Sequence, residues 1–222
     1  MGDKLMAAVQ NATTDDIAGC EIYLVTPAIS DADAFLPCIG QILSAVPVAA
    51  VRLRLEAGAP ETLIRAIEIL RPAIQNQGVA LILDGLPELA RQTGCDGVHV
   101  DGADVAAARR LIGDSLQLGA FCGTSRDLGM QAGESGADYI SFGPFHDTCD
   151  ETDMALLQWW AEVMELPVVA ECGSPEQMLE NTALLSQLTR TADFLATGMT
   201  GQTQDGQPDA LAALLRAIRA AS

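Results

Sequence analysis

The chain has 222 residues, which admits one large or two small domains and also suits one strand–helix barrel, a fold that starts at roughly 200 residues. With 49% hydrophobic and only 4% aromatic residues, a core has to be built from Ala, Val, Leu and Ile, and a disordered chain is excluded. The formal net charge of −18 is spread along the chain, so nucleic acid and anionic membranes are excluded as partners. The same field opposes a phosphorylated ligand unless Arg, helix N-termini or a metal reverses the sign locally.

Residues 1–20 read as an extension ahead of the first strand. Met1-Gly-Asp-Lys-Leu-Met lacks the basic lead and apolar run of a secretory signal, and Met6 breaks a myristoylation pattern. No apolar run approaches the roughly 20 residues of a membrane helix. Cys20, Cys38, Cys95, Cys122, Cys149 and Cys172 include no CxxC pair, so reduced thiols in a cytoplasmic protein are expected. Cys122 and Cys172, near strand ends, read as small core residues before reactive thiols.

Strands are expected over 21–26, 48–55, 79–83, 97–100, 117–121, 139–142, 168–171 and 194–197. Their apolar residues run almost without interruption, as in parallel strands covered by helices. Between them, 60–77 sets Leu63, Ile67, Leu70 and Ile74 on one helical face, and 207–221 does the same with Leu211, Leu214, Leu215 and Ile218. Residues 104–112 and 154–164 read similarly; Trp159 and Trp160 mark either an interface or a helix with one buried ring. The economical solution is a single-domain α/β chain folded as a (β/α)8 TIM barrel over 1–222, with an open doubly wound sheet as the alternative.

The second strand, Val51-Arg-Leu-Arg-Leu-Glu56, alternates, so Arg52, Arg54 and Glu56 are expected on one face. With Leu53 and Leu55 under the helices, three charges point into the barrel near its mouth. An internal Arg–Glu network and a functional site are equally good readings of that face.

Several segments, in order, resemble the thiamin phosphate synthase and TenI superfamily. They are Ile22-Tyr-Leu-Val-Thr26, Arg52-Leu-Arg54, Leu81-Ile-Leu-Asp84, Cys95-Asp-Gly-Val-His-Val100, Leu118-Gly119, and, best marked, Gly136-Ala-Asp-Tyr-Ile-Ser-Phe-Gly-Pro144. The resemblance implies a transferase that joins a hydroxymethylpyrimidine pyrophosphate to a thiazole phosphate. Pyrophosphate leaves first, assisted by Mg2+ and basic side chains, and the thiazole nitrogen captures the pyrimidine cation. The implied partners are small phosphorylated pyrimidine and thiazole ligands, with self-association left open.

Residue by residue, the resemblance implies that Arg54 binds pyrophosphate, that Arg52 keeps a donor where the family has Gln, and that Asp84 and Asp104 hold Mg2+. Asp104 equally suits the N-cap of the following helix, and His99, at the family's fourth-strand His, equally suits a core histidine. Thr124 follows strand five, Thr148 matches the first Thr of the family's Thr-x-Thr-Lys loop, and Gly173 with Gly198 and Thr200 would cradle the thiazole phosphate. Both glycines equally suit simple turns. Departures from the family are Glu56 and Glu151 in place of Lys, Asp150 in place of Thr, Phe121 in place of Ser, and Gly85 in place of a metal-binding Asp. Synthesis of thiamin phosphate at an altered site is therefore the leading expectation. The alternatives are a TenI-like thiazole phosphate aromatase using His99 or His146 as base, and an inactive barrel that binds a phosphorylated ligand.

Overall fold

The computed structural model describes residues 19–146, 151–199 and 207–221. Eight parallel strands close into a barrel in chain order: β1 (Glu21–Ile29), β2 (Ala50–Leu55), β3 (Ala80–Asp84), β4 (Gly97–Asp101), β5 (Gln117–Phe121), β6 (Tyr139–Phe145), β7 (Val168–Cys172) and β8 (Phe194–Gly198). Outside them lie α1 (Ala32–Ala45), α2 (Pro60–Gln75), α3 (Pro87–Thr93), α4 (Val105–Ile112), α5 (Arg126–Glu134), α6 (Glu151–Val163), two short helices α7 (Pro175–Glu180) and α8 (Thr182–Thr189), and α9 (Gln207–Ala221). The closed barrel replaces the open-sheet alternative: β1 bonds to both β2 and β8, which leaves no edge.

Strand alternation divides the apolar residues into two layers. Val51, Leu53, Leu81, Leu83, Val98 and Ile140 face outward into a continuous core beneath the helices. Tyr23, Val25, Ala50, Ala80, Ile82, Tyr139, Val169, Phe194 and Ala196 fill the interior. Interior alanines at β2, β3 and β8 make room for the two tyrosines, so large and small residues interdigitate around the ring. Of the tryptophans, Trp160 is fully buried and edge-on to Phe142, whereas Trp159 is half-buried under the Arg126 guanidinium, the buried-ring reading of that pair.

β1 runs three residues beyond the expected 26, to Ile29. The strand contains Pro27, which has no N–H to donate, and the β1–β2 register shifts between Val25 and Ala28. The Thr26 hydroxyl accepts the Arg54 backbone N–H at 3.0 Å and bridges the irregularity. This contact fixes the strand where it carries its second arginine to the mouth.

At the opposite end of the barrel one device is used three times. Asp96, Asp138 and Asp193 immediately precede β4, β6 and β8, and each carboxylate accepts a backbone N–H from the preceding strand: Leu81 at 2.8 Å, Leu118 at 2.7 Å and Val168 at 2.8 Å. A share of the chain's acidic residues thus serves strand pairing at the N-terminal face, where barrels keep stabilising residues. The five described cysteines form no disulfide; four are buried and Cys172 is half-buried. Burial pushes the Cys95 thiol up to about 11 and Cys122 up to about 12, which disfavours the thiolate. Among the described residues no helix is long and apolar enough to cross a membrane.

Candidate active site

The C-terminal mouth of the barrel opens into a cavity of about 750 Å³ lined from β2, β3, β4, β5, β6 and β7. Arg52, Arg54, Asp84, His99 and Asp104 all line it, so the structure brings together five residues singled out in the sequence. Parallel register explains this: Arg52 sits beside Ile82, and Asp84, two residues further along β3, sits beside His99. Inward-facing positions on neighbouring strands thereby rise to one mouth.

Arg52 is 11% exposed and meets Glu171 of β7 end-on, Nη1 to Oε1 at 2.7 Å and Nη2 to Oε2 at 3.0 Å. Its Nε is buried without a hydrogen-bond partner, 3.5 Å from Asp84 Oδ1. Burial alone would lower the Arg52 pKa; the Glu171 carboxylate outweighs it and raises the value, so the guanidinium stays charged. Arg54, one layer nearer solvent and 49% exposed, has its Nε 3.7 Å from Asp84 Oδ2. Burial raises the Asp84 carboxyl despite its two arginine neighbours.

Beneath them runs a buried hydrogen-bonded chain. Tyr23 Oη lies 2.8 Å from Tyr139 Oη, which lies 3.2 Å from His99 Nδ1. On the other side of the ring, His99 Nε2 is 3.4 Å from Ser141 Oγ and 3.8 Å from Glu171 Oε1. Burial, and then the Arg52 charge, hold His99 well below its ordinary pKa, so the imidazole is neutral. A Cβ at Gly119 would collide with the Tyr139 ring and with His99 Nδ1, so a residue without a side chain is what lets these two meet. On β6, Gly143 has a φ of 136°, and a Cβ there would stand 2.7 Å from the Glu171 carbonyl; glycine lets this backbone close on Glu171.

The expectation that Glu56 points inward with Arg52 and Arg54 is corrected. β2 ends at Leu55, so alternation stops there, and Glu56 is exposed outside the cavity lining, its N–H donated to the Ile29 carbonyl at 3.0 Å. Arg52 finds its acid across the barrel instead. Asp104 occupies the N-cap position of α4, but its side chain makes no capping hydrogen bond; it lines the cavity. Asp101, exposed, lines the same wall. Gly85 and Leu86 turn in succession through the left-handed region, at φ of 66° and 54°, and the Gly85 N–H bonds to the His99 carbonyl at 2.7 Å. A leucine there carries local strain at the cavity edge.

Gly173 and Gly198 meet on the β7–β8 side of the rim rather than in the cavity wall: the Gly198 N–H reaches the Gly173 carbonyl at 3.4 Å, and Thr197 Oγ1 donates to that carbonyl at 2.9 Å. A Cβ at Gly173 would strike Gln177, whose side chain completes a capping box with Ser174 at the start of α7. Thr124 is exposed in the turn after β5, and Glu151 is exposed at the start of α6. Thr148, Asp150, Cys149 and Thr200 lie outside the described residues.

Sequence reading passed over Glu171, Tyr139, Tyr23 and Ser141. Glu171 carried a signal, since it is the charged residue of an otherwise apolar strand and follows inward-facing Val169 by two residues. Tyr139 and Ser141 stood inside the best-marked stretch but served there only to identify the scaffold.

Among the described residues no three His, Cys, Asp or Glu side chains converge on one point as a complete metal cage would need. Two carboxylates on one cavity wall, Asp84 and Asp104, do suit Mg2+, which takes one or two carboxylates and completes its shell with water and substrate phosphate.

Comparison with known proteins agrees with this architecture. Residues 22–204 match the family model described as thiamine monophosphate synthase. A thiamine-phosphate synthase of Rhodospirillum centenum is 45% identical over 184 residues, covering 80% of this chain and 86% of that protein. One of Hyphomonas neptunium is 36% identical over 211 residues, covering 90% and 92%. Among solved structures, thiamine phosphate pyrophosphorylase from Pyrococcus furiosus superposes with a TM-score of 0.73 at 18% identity, covering 90% of this chain and 96% of the other, a likeness of fold. With the family model spanning the barrel and the relatives aligned over most of their length, the chain belongs to the thiamine monophosphate synthase family.

Proposed function

We propose that this chain is a thiamine-phosphate synthase, joining a hydroxymethylpyrimidine pyrophosphate to a thiazole phosphate with release of pyrophosphate. The observation that carries the reading is the mouth cavity, whose lining brings the half-exposed Arg54 together with Asp84, Asp104 and the neutral His99 in a member of this family. Arg54 has the exposure and the planar fork to hold the oxygens of the departing pyrophosphate. Asp84 and Asp104 are the residues that would hold Mg2+, which when bound neutralises charge on the leaving group. The C–O bond to pyrophosphate breaks with its electron pair on the leaving oxygen, and the thiazole nitrogen then forms the new C–N bond. Val100, Phe121, Leu111 and Pro144 supply apolar lining against which the pyrimidine ring would lie. The Gly173–Gly198 rim, with α7 opening beside it, is the place for the thiazole phosphate.

The place of His99 in the cavity lining supports a second reading, proton abstraction from a thiazole phosphate tautomer. One experiment separates the two. Purified protein is incubated with both substrates and Mg2+, and thiamine phosphate is measured by chromatography. Product that requires both substrates supports the synthase; aromatisation of the thiazole precursor without any condensation supports the second reading. A folded protein that shows neither reaction, and no thermal shift with the pyrimidine pyrophosphate at saturating Mg2+, overturns the proposal.

A further inference from the structure

The inner wall of the cavity holds an arginine that is poorly disposed to bind a phosphate. Both fork nitrogens of Arg52 are occupied by Glu171, at 2.7 and 3.0 Å, and the pair is almost out of solvent, with side chains 11% and 13% exposed. An incoming phosphate would have to displace a bidentate carboxylate from a guanidinium and then lie against it, two costs that reinforce each other. What the pair still offers the cavity is the unused lone pairs of Glu171, since the Arg52 Nε is itself buried and lies 3.5 Å from Asp84 Oδ1. That is hydrogen-bond acceptance with little net charge, on a cavity lining that also includes Val100, Phe121 and Pro144. One layer outward along the same strand, Arg54 is 49% exposed, with Asp84 beside it at 3.7 Å. The wall is therefore graded, with a self-neutralised arginine inside and an accessible one at the rim.

We propose that Glu171 is a specificity-determining residue: by neutralising Arg52 it denies the inner wall to phosphate groups, so that a substrate made of an uncharged nitrogen heterocycle and a pyrophosphate enters ring first and leaves its anionic end at Arg54. The inference rests on the synthase reading for the identity of that substrate, but its central claim concerns anion binding and is measurable without turnover. Discrimination by a repulsive element of this kind costs stability and secures orientation.

The test uses inorganic pyrophosphate as the probe, without divalent cation, titrated calorimetrically into the wild-type chain, into Glu171→Gln and into the double variant Arg52→Gln/Glu171→Gln. Glu171→Gln keeps the side-chain shape but frees one fork nitrogen and removes the nearer of the two carboxylates beside Arg52. Pyrophosphate affinity is expected to rise at least about 10-fold and to return to the wild-type value in the double variant. In turnover, pyrophosphate becomes a correspondingly stronger inhibitor competitive with the pyrimidine substrate. A gain of binding is an outcome that misfolding cannot imitate. If Glu171→Gln is unfolded alone because its buried arginine lost its partner, melting is followed against pyrophosphate concentration, and restoration of a folded transition at millimolar anion counts for the proposal. Unchanged pyrophosphate affinity in Glu171→Gln, a gain that persists in the double variant, or no rescue of an unfolded variant overturns it. If the gain appears while the wild-type chain makes no thiamine phosphate, the substrate reading fails and the exclusion of anions stands.

Discussion

Replacing Gly119 with alanine adds one methyl group at the place where the interior of the barrel is most tightly closed. The new Cβ would fall on the Tyr139 ring and hydroxyl and on His99 Nδ1, all fully or almost fully buried, so no far end of a flexible chain is available to swing aside. Tyr139 is held at its hydroxyl by Tyr23 at 2.8 Å and by His99 at 3.2 Å, and moving the ring breaks both contacts. Overpacking costs about 1–3 kcal/mol, and two buried hydrogen bonds add about 1 kcal/mol each. Gly119→Ala should therefore lose about 3–5 kcal/mol, a large part of the stability of an ordinary domain. Urea unfolding followed by tryptophan fluorescence measures this through Trp159 and Trp160. The companion variant is Tyr139→Ala with and without the glycine change. In the space left by the ring, the added methyl should cost little, giving a favourable coupling of at least about 2 kcal/mol. A loss below about 1 kcal/mol in the single variant, or additivity in the pair, would show that Gly119 is not what admits the tyrosine–histidine contact.

The remaining predictions concern charge. Arg54→Ala should raise KM for the pyrimidine pyrophosphate by at least about 10-fold and leave KM for the thiazole phosphate unchanged in initial-rate kinetics. Asp96→Ala removes the buried acceptor of the Leu81 N–H and of the Gln75 amide, both at 2.8 Å, and should cost about 2–3 kcal/mol in the same urea assay with KM values intact. His99, depressed by burial and by Arg52, is neutral when folded, while the unfolded chain takes up a proton below the ordinary histidine value of about 6.5. Stability present above that pH is then lost as pH falls toward the folded pKa, with a slope of up to about 1.4 kcal/mol per unit. His99→Asn should flatten that window; an unchanged slope would mean the ring is charged in the folded state. Asp84, raised above 3.8 by burial, works in the opposite sense over a more acid range, since there the folded state holds the proton more tightly.

How much of this was legible depended on whether a signal was local. The two-residue period of β2 predicted that Arg52 and Arg54 share an inward face, and it failed at Glu56 because periodicity does not say where a strand stops. The charge balance of that face was out of reach: the acid that neutralises Arg52 lies 119 residues away, and only the closed register carries β7 opposite β2. The helix 207–221 followed directly from its apolar spacing. Asp104 stood between two local readings, cap and ligand, and no sequence rule separates them; the absence of a capping bond in the structure favours a side chain turned to the cavity.

A chain of net charge −18 that handles two phosphorylated substrates has to place its acids where they do not repel them. The structure does this in two ways. Asp96, Asp138 and Asp193 are at the far end of the barrel, engaged by backbone N–H groups, and Asp138 also by Arg109. They are roughly a barrel's length from the mouth, beyond the Debye length of about 8 Å at physiological salt. Glu171 stays at the site but is spent on Arg52, so it adds almost no net charge while still blocking one phosphate position. The acids left on the cavity wall, Asp84, Asp101 and Asp104, then set the requirement for a cation. Without one, a pyrophosphate at Arg54 meets Asp84 within the same guanidinium's reach. With one held as proposed above, Asp84 and Asp104 would change from repellents into ligands. Binding of the pyrimidine pyrophosphate should thus depend far more steeply on Mg2+ than binding of the thiazole monophosphate on the β7–β8 rim. Calorimetric titration of each substrate at several Mg2+ concentrations tests this directly, and equal Mg2+ dependence of the two would place both phosphates on the same wall and refute the division of labour between Arg54 and the glycine rim.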